Sequence, residues 1–111
     1  MIHNTSKKTV ITNAWKKATG FFENATGLLT ISPREAILLQ TRFGIHTFFL
    51  REPIDVLVLN NKHQVVKIKT NLKPNSILLW NPTYCLVLEL PKNTVQNSKI
   101  DVGDHISFDD L

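Results

Sequence analysis

The chain has 111 residues, enough for one domain to bury roughly two thirds of the surface its unfolded form would expose, so no disulfide or metal staple is required. Its net charge of +4 is unevenly spread: Lys7, Lys8, Lys16 and Lys17 precede any acid, Lys62, Lys67, Lys69 and Lys73 form a second basic group, and Asp101, Asp104, Asp109 and Asp110 make the end acidic. Neither a basic stripe with interleaved aromatics nor a groove-reading helix is evident, so nucleic acid is not an expected partner, and the lysines read as wet strand faces that discourage edge pairing.

The single Cys85 has no internal partner and lies in the apolar run Tyr84-Cys85-Leu86-Val87-Leu88, which reads as an inert packed thiol in a reducing compartment. Met1 to Lys8 is followed by no apolar stretch of signal-peptide length, and no run approaches a membrane span. A cytoplasmic location without membrane contact is expected.

No repeat, low-complexity tract or linker divides the chain, which predicts a single domain over residues 1–111. Thr9 to Thr12 is a short β-type run, and Trp15 to Ala18 reads as its return strand after a turn at Asn13-Ala14. Phe21 to Thr26 is predicted as the substantial helix, with Gly20 at its N-cap, Glu23 at the reciprocal capping position and Gly27 in the left-handed conformation that ends it. Ser32-Pro33-Arg34-Glu35 has the form of a capping box, but Ala36 to Gln40 is short before Gly44, so one helical turn and then a strand are expected.

From Ile45 onward the pattern is β. His46 to Leu50 forms one run, Pro53 interrupts pairing, and Ile54 to Leu59 is apolar at both parities, as a strand covered on both faces must be. After a turn at Asn60 to His63, Val66 and Ile68 alternate with Lys67 and Lys69, which marks one buried and one wet face. Ile77 to Trp80, Tyr84 to Leu90 and His105 to Phe108 supply further strands, with a tight turn at Gly103-Asp104. The predicted fold is mainly β: a compact antiparallel β-sandwich or jelly-roll-like, partly closed barrel with one or two short helices. Ile54, Val56, Val58, Val66, Ile68, Leu86, Leu88 and Leu90 are expected to share one core.

Ile45-His46-Thr47-Phe48-Phe49-Leu50-Arg51-Glu52-Pro53-Ile54-Asp55-Val56, together with Gly27-Leu28-Leu29, Val65-Val66, Leu72-Lys73-Pro74, Val87-Leu88-Glu89-Leu90-Pro91 and Gly103-Asp104, resembles the domain-of-unknown-function 192 family over about residues 18–108. The resemblance implies a compact β-sandwich or jelly-roll-like domain with short helical pieces and no established activity. The chain departs from the family pattern at Asn24, where an arginine is common, and at Asn93 and His63, where glycine is favoured. Asn visits left-handed backbone readily and His less so, which makes the two turn substitutions tolerable; loss of the arginine removes whatever ion pair it makes.

Asp55 shares strand parity with Leu57 and Leu59, so its carboxylate must be hydrogen-bonded or paired, with Arg51 the nearest cation across the Pro53 bend. The bland reading, a structural pair fixing that bend, outweighs a catalytic one. Glu89 shares a face with Cys85 and Val87 and reads either as a ligand contact or as a strand residue paired with a lysine. His46 titrates in a range suited to proton transfer but reads more simply as a packing residue. Trp80 is a core or rim aromatic that could also line a pocket mouth. The histidines show no metal-ligand spacing, and no phosphate loop or nucleophile elbow is present, so neither metal nor cofactor is expected.

Two function classes follow. In the first, a non-catalytic binding or interaction module captures a small polar or anionic ligand or a protein segment through His46, Arg51, Asp55, Glu89 and Trp80. In the second, a small hydrolase or isomerase works with Asp55, Glu89 and His46, which requires the two carboxylates to converge. Binding is favoured because no complete catalytic constellation can be assembled; oligomeric state leaves no mark in the sequence.

Overall fold

The computed structural model describes residues 1–19, 35–42, 44–47 and 52–109. In chain order the strands are β1 (Ile2–Asn4), β2 (Thr9–Thr12), β3 (Trp15–Thr19), β4 (Ala36–Gln40), β5 (Gly44–His46), β6 (Ile54–Leu59), β7 (Val65–Leu72), β8 (Ile77–Leu79), β9 (Leu86–Pro91) and β10 (Ile106–Phe108). One short helix, α1 (Thr94–Ser98), is present among the described residues. The predicted helix at Phe21 to Thr26, the residues Ser32 to Arg34 and the run Phe48 to Arg51 lie outside them.

The strands form a three-stranded sheet in the order β10-β1-β2, a five-stranded sheet in the order β3-β4-β9-β6-β7, and a two-stranded sheet β5-β8, none closed into a barrel. The fold is mainly β, as the turn spacing predicts, and pairing is antiparallel except between β3 and β4. That exception corrects the expected hairpin of Thr9–Thr12 with Trp15–Ala18. The Ala14 amide donates to Thr12 Oγ1 (3.2 Å) and the Ala36 amide to the Ala14 carbonyl (3.1 Å), so the chain bends at Asn13-Ala14 and enters the larger sheet. The stretch between Thr19 and Ala36 is long enough for the crossover that parallel pairing needs. Ala36–Gln40 is a strand, as its short apolar run suggests.

β6 and β9 lie side by side at the middle of the large sheet, and both are buried on both faces. Their alternate residues therefore enter two separate apolar layers, which corrects the expectation of one core. Leu57, Leu59, Leu88 and Leu90 pack with Ile2, Ala36, Leu38, Val65, Val95, Ile100 and Ile106 on the first face. Val56, Val58 and Val87 pack with Ile37, Leu39, Ile45, Leu72, Leu78 and Trp80 on the second. Along β7, Lys67 and Lys69 are exposed while Val66 and Ile68 are half-buried, as the alternation predicts. Val66 nevertheless packs on the second layer and Ile68 on the first, because the register slips between Val58 and Leu59.

The turns behave as their residues suggest. His63 (φ 62) and Asn93 (φ 69) are both left-handed, and Gly103 (φ 96) turns the chain into β10. Asn60 Oδ1 accepts from the amides of Lys62 and Gln64, each at 2.9 Å, which closes the turn ahead of β7.

The two ends of the chain are joined through Asp104. Its Oδ2 accepts from Asn4 Nδ2 (2.8 Å), the Asp101 amide (2.9 Å) and Lys7 Nζ, and Lys7 also pairs with Asp101 at 2.8 Å. Burial works to raise the Asp104 pKa, but the bonds from Lys7, the Asp101 amide and Asn4 outweigh it and hold the carboxyl below its usual value. Because the folded pKa is depressed, the resulting stability is present above the ordinary carboxylate range and is lost as pH falls through it. Asp104→Asn is expected to lower Tm near neutral pH, and the gap to wild type should close in acid; a gap independent of pH would show that the charge contributes nothing.

Candidate functional site

Asp55 is buried, 2% exposed, on the first face beside Leu57 and Leu90. Its Oδ1 accepts from the Asn71 amide at 3.0 Å and its Oδ2 from the Val95 amide at 2.9 Å. Val95 is the second residue of α1, whose first amides have no partner within the helix, and Asn93 at its N-cap makes no side-chain capping bond. Asp55 thus caps that helix from a neighbouring strand. Asn71 (φ 53) lies where the register slips between Ile54 and Val56, so the other oxygen holds an irregularity of β7. Both oxygens accept backbone bonds, which tie α1 and the irregularity of β7 to β6. The Arg51 partner proposed from the sequence falls outside the described residues.

Glu89 lies on the opposite face. It stands directly across from Ile37 of β4 and Val56 of β6, both members of the second layer. It too is 2% exposed, yet neither carboxyl oxygen has a hydrogen-bond partner among the described residues. Desolvation alone pushes its pKa up to about 8, so the group is mainly a neutral acid at neutral pH. Asp55 and Glu89 therefore do not converge, and paired acid and base work by these two carboxylates has no geometry to run on.

The remaining candidates scatter. Trp80 is buried in the second layer, on the face that carries Glu89, with its Nε1 donating to the Tyr84 carbonyl at 2.9 Å. His46 is half-buried on β5; its neighbour Ile45 points into the second layer, so His46 lies on the outer side of the small sheet, opposite the exposed Ile77. It is not brought to Asp55 or Glu89.

The register adds residues that the sequence did not single out. Lys16 of β3 is level with Ile37, and Lys69 of β7 is level with Val56, so one row across the sheet reads Lys16, Ile37, Glu89, Val56, Lys69. Glu35, two residues before Ile37, is on the same face. Lys16 Nζ lies 3.3 Å from Glu35 Oε2, close enough for an ion pair though not aligned as a hydrogen bond. No single stretch of sequence signals this row, because its members come from five strands. Thr47 was also missed: buried, it donates to the Lys73 carbonyl (2.6 Å) and accepts from the Ser76 amide (2.9 Å), locking the turn before β8.

Among the described residues no group of His, Cys, Asp and Glu could hold a metal ion, and no helix is long and apolar enough to cross a membrane.

A mainly β chain with a mixed five-stranded sheet buried on both faces is the class that these observations define. The model of the domain-of-unknown-function 192 family, described as "Uncharacterized ACR", matches residues 2–108, and the chain belongs to that family. A UPF0127 protein of Pyrococcus horikoshii is 33% identical, over 97% of this chain and 98% of its own length. One from Pyrococcus furiosus is 30% identical, over 82% and 83%. Among solved structures, a protein of Sinorhizobium meliloti 1021 provisionally described as a transcription regulator superposes with a TM-score of 0.74 at 20% identity, covering 84% of this chain and 79% of that one. A protein of unknown function from Novosphingobium aromaticivorans superposes with a TM-score of 0.72 at 18% identity, over 85% and 74%. These two likenesses establish the fold alone.

Proposed function

We propose that the chain is a non-catalytic binding module, a layered β-sandwich whose ligand meets the face carrying Glu89 and Trp80. The observation that carries this reading is the buried, unbonded carboxyl of Glu89. Burying a polar group without a partner costs on the order of 1–3 kcal/mol, and such groups are tolerated where a ligand completes them. Apolar walls with one polar group among them are also the usual lining of a small-ligand site. The alternative, a hydrolase or isomerase built on Asp55, Glu89 and His46, has its three groups on three different surfaces.

Native mass spectrometry of protein purified gently from cell extract tests the reading. Wild type is expected to carry a small-molecule or peptide adduct that Glu89→Leu loses. A bare wild-type chain, or an adduct retained unchanged by Glu89→Leu, would contradict it.

A further inference from the structure

We infer that the row Lys16, Ile37, Glu89, Val56 and Lys69 binds a small organic anion with an apolar body, its acidic group accepting a hydrogen bond from Glu89 between the two lysines. The inference rests on the binding reading above and deepens it by assigning the ligand's chemistry.

Three observations support it. First, the row is symmetric about Glu89: each lysine stands two strands away, so its Cα is roughly 10 Å from that of Glu89, within reach of a lysine side chain extended toward a ligand at the centre. Second, the residues between are Ile37 and Val56, which offer a hydrocarbon surface on either side of the carboxyl. Third, the charges on this face favour an anion. Lys16 comes from β3, Glu35 from the residue ahead of β4, and Lys67 and Lys69 from β7, while among the described residues β6 and the small sheet contribute the uncharged Ile54, Val56, Val58, Ile45 and Leu78 to this layer. Of these groups Glu35 is already matched by Lys16, and Lys67 donates to the Leu79 carbonyl at 3.2 Å.

A cationic ligand would need Glu89 to ionise in an apolar layer with lysines on both flanks. An anionic one needs only the proton that burial already keeps there. A neutral carboxylic acid used as a donor is an established device in apolar sites. Glu89 is enclosed, so a ligand reaches it only through local opening of the layer above, and the free energy of that opening is subtracted from its affinity.

Benzoate is the probe, followed by amide NMR with butylammonium as the opposite-charge control. Benzoate is expected to shift the resonances of Ile37, Val56 and Glu89, and butylammonium is not. Its affinity should fall about tenfold between about pH 6 and pH 9, as the competent, protonated form of Glu89 is depleted. Glu89→Gln, which keeps a donor but cannot ionise, should bind at both values with the pH step gone, and Lys69→Gln should weaken binding severalfold. Benzoate shifts that are absent, lie elsewhere or ignore pH would overturn the inference, as would a preference for butylammonium. If it fails while the Glu89-dependent adduct persists, only the anionic chemistry is wrong; if that adduct is also missing, the binding reading fails with it.

Discussion

Asp55→Ala is expected to destabilise the fold by roughly 3–5 kcal/mol. The substitution strands two backbone amides, those of Asn71 and Val95, each bonded to a carboxyl oxygen in wild type, and each buried donor left unsatisfied costs about 1–3 kcal/mol. The loss falls on two elements at once. With its remote cap removed, α1 should fray, and Val95 and Ile100, which pack into the first apolar layer, should lose protection with it. Asp55→Asn retains one acceptor oxygen and should recover part of the loss. Denaturant melts with hydrogen exchange check both parts. A loss under about 1 kcal/mol, the range of an ordinary surface change, with α1 still protected, would show that the two bonds contribute little.

Glu89→Gln should act in the opposite direction. Its folded pKa is raised from 4.5 to about 8. Below about pH 4.5 both folded and unfolded chains hold the proton, so the substitution should be nearly neutral. Between 4.5 and about 8 only the unfolded chain releases it, and wild-type stability falls as pH rises; above 8 the deficit stays constant. At about pH 7 the variant should therefore be more stable than wild type by roughly 3 kcal/mol. A gain of that size from removing one ionisable group is the signature of a group kept at the expense of the fold. Comparing the two proteins across pH cancels the contribution of Asp104 and Lys7, which bond to each other, Asn4 and Asp101 and are present in both. Equal stability at all pH values would mean that Glu89 is ionised and satisfied in the folded chain.

Much of the strand pattern was legible because it rests on local signals. The alternation of Val66, Lys67, Ile68 and Lys69, the doubly apolar Ile54 to Leu59 and the turns at Asn60 and Gly103 each carry their meaning within a few residues. Parity also placed Asp55 with Leu57 and Glu89 with Val87. What parity cannot give is how strands lie beside one another. The enzyme alternative required Asp55 and Glu89 to converge, but Asp55 stands level with Leu90 and Glu89 with Val56, which puts them on opposite faces. The same limit hid the row of Lys16, Glu89 and Lys69, whose members are far apart in the chain and meet only through strand register.

Helix α1 was illegible for a related reason. Its five residues carry no capping side chain of their own, since the cap comes from a strand some forty positions earlier. The parallel pairing of β3 with β4 likewise depends on a crossover, whereas the nearest turn, at Asn13-Ala14, has the local form of a hairpin. In both cases a distant segment overrode the signal in the immediate sequence.

The ionisation of Glu89 underlies both its cost to stability and its proposed use as a donor, and the most direct measurement of it is an NMR titration of the Glu89 side-chain carboxyl carbon in the folded protein. A midpoint near 8 is expected, with the carboxyl protonated in neutral solution. A midpoint near the ordinary value of 4.5 would contradict it, because the group would then be an ionised and compensated carboxylate with no proton to offer a ligand.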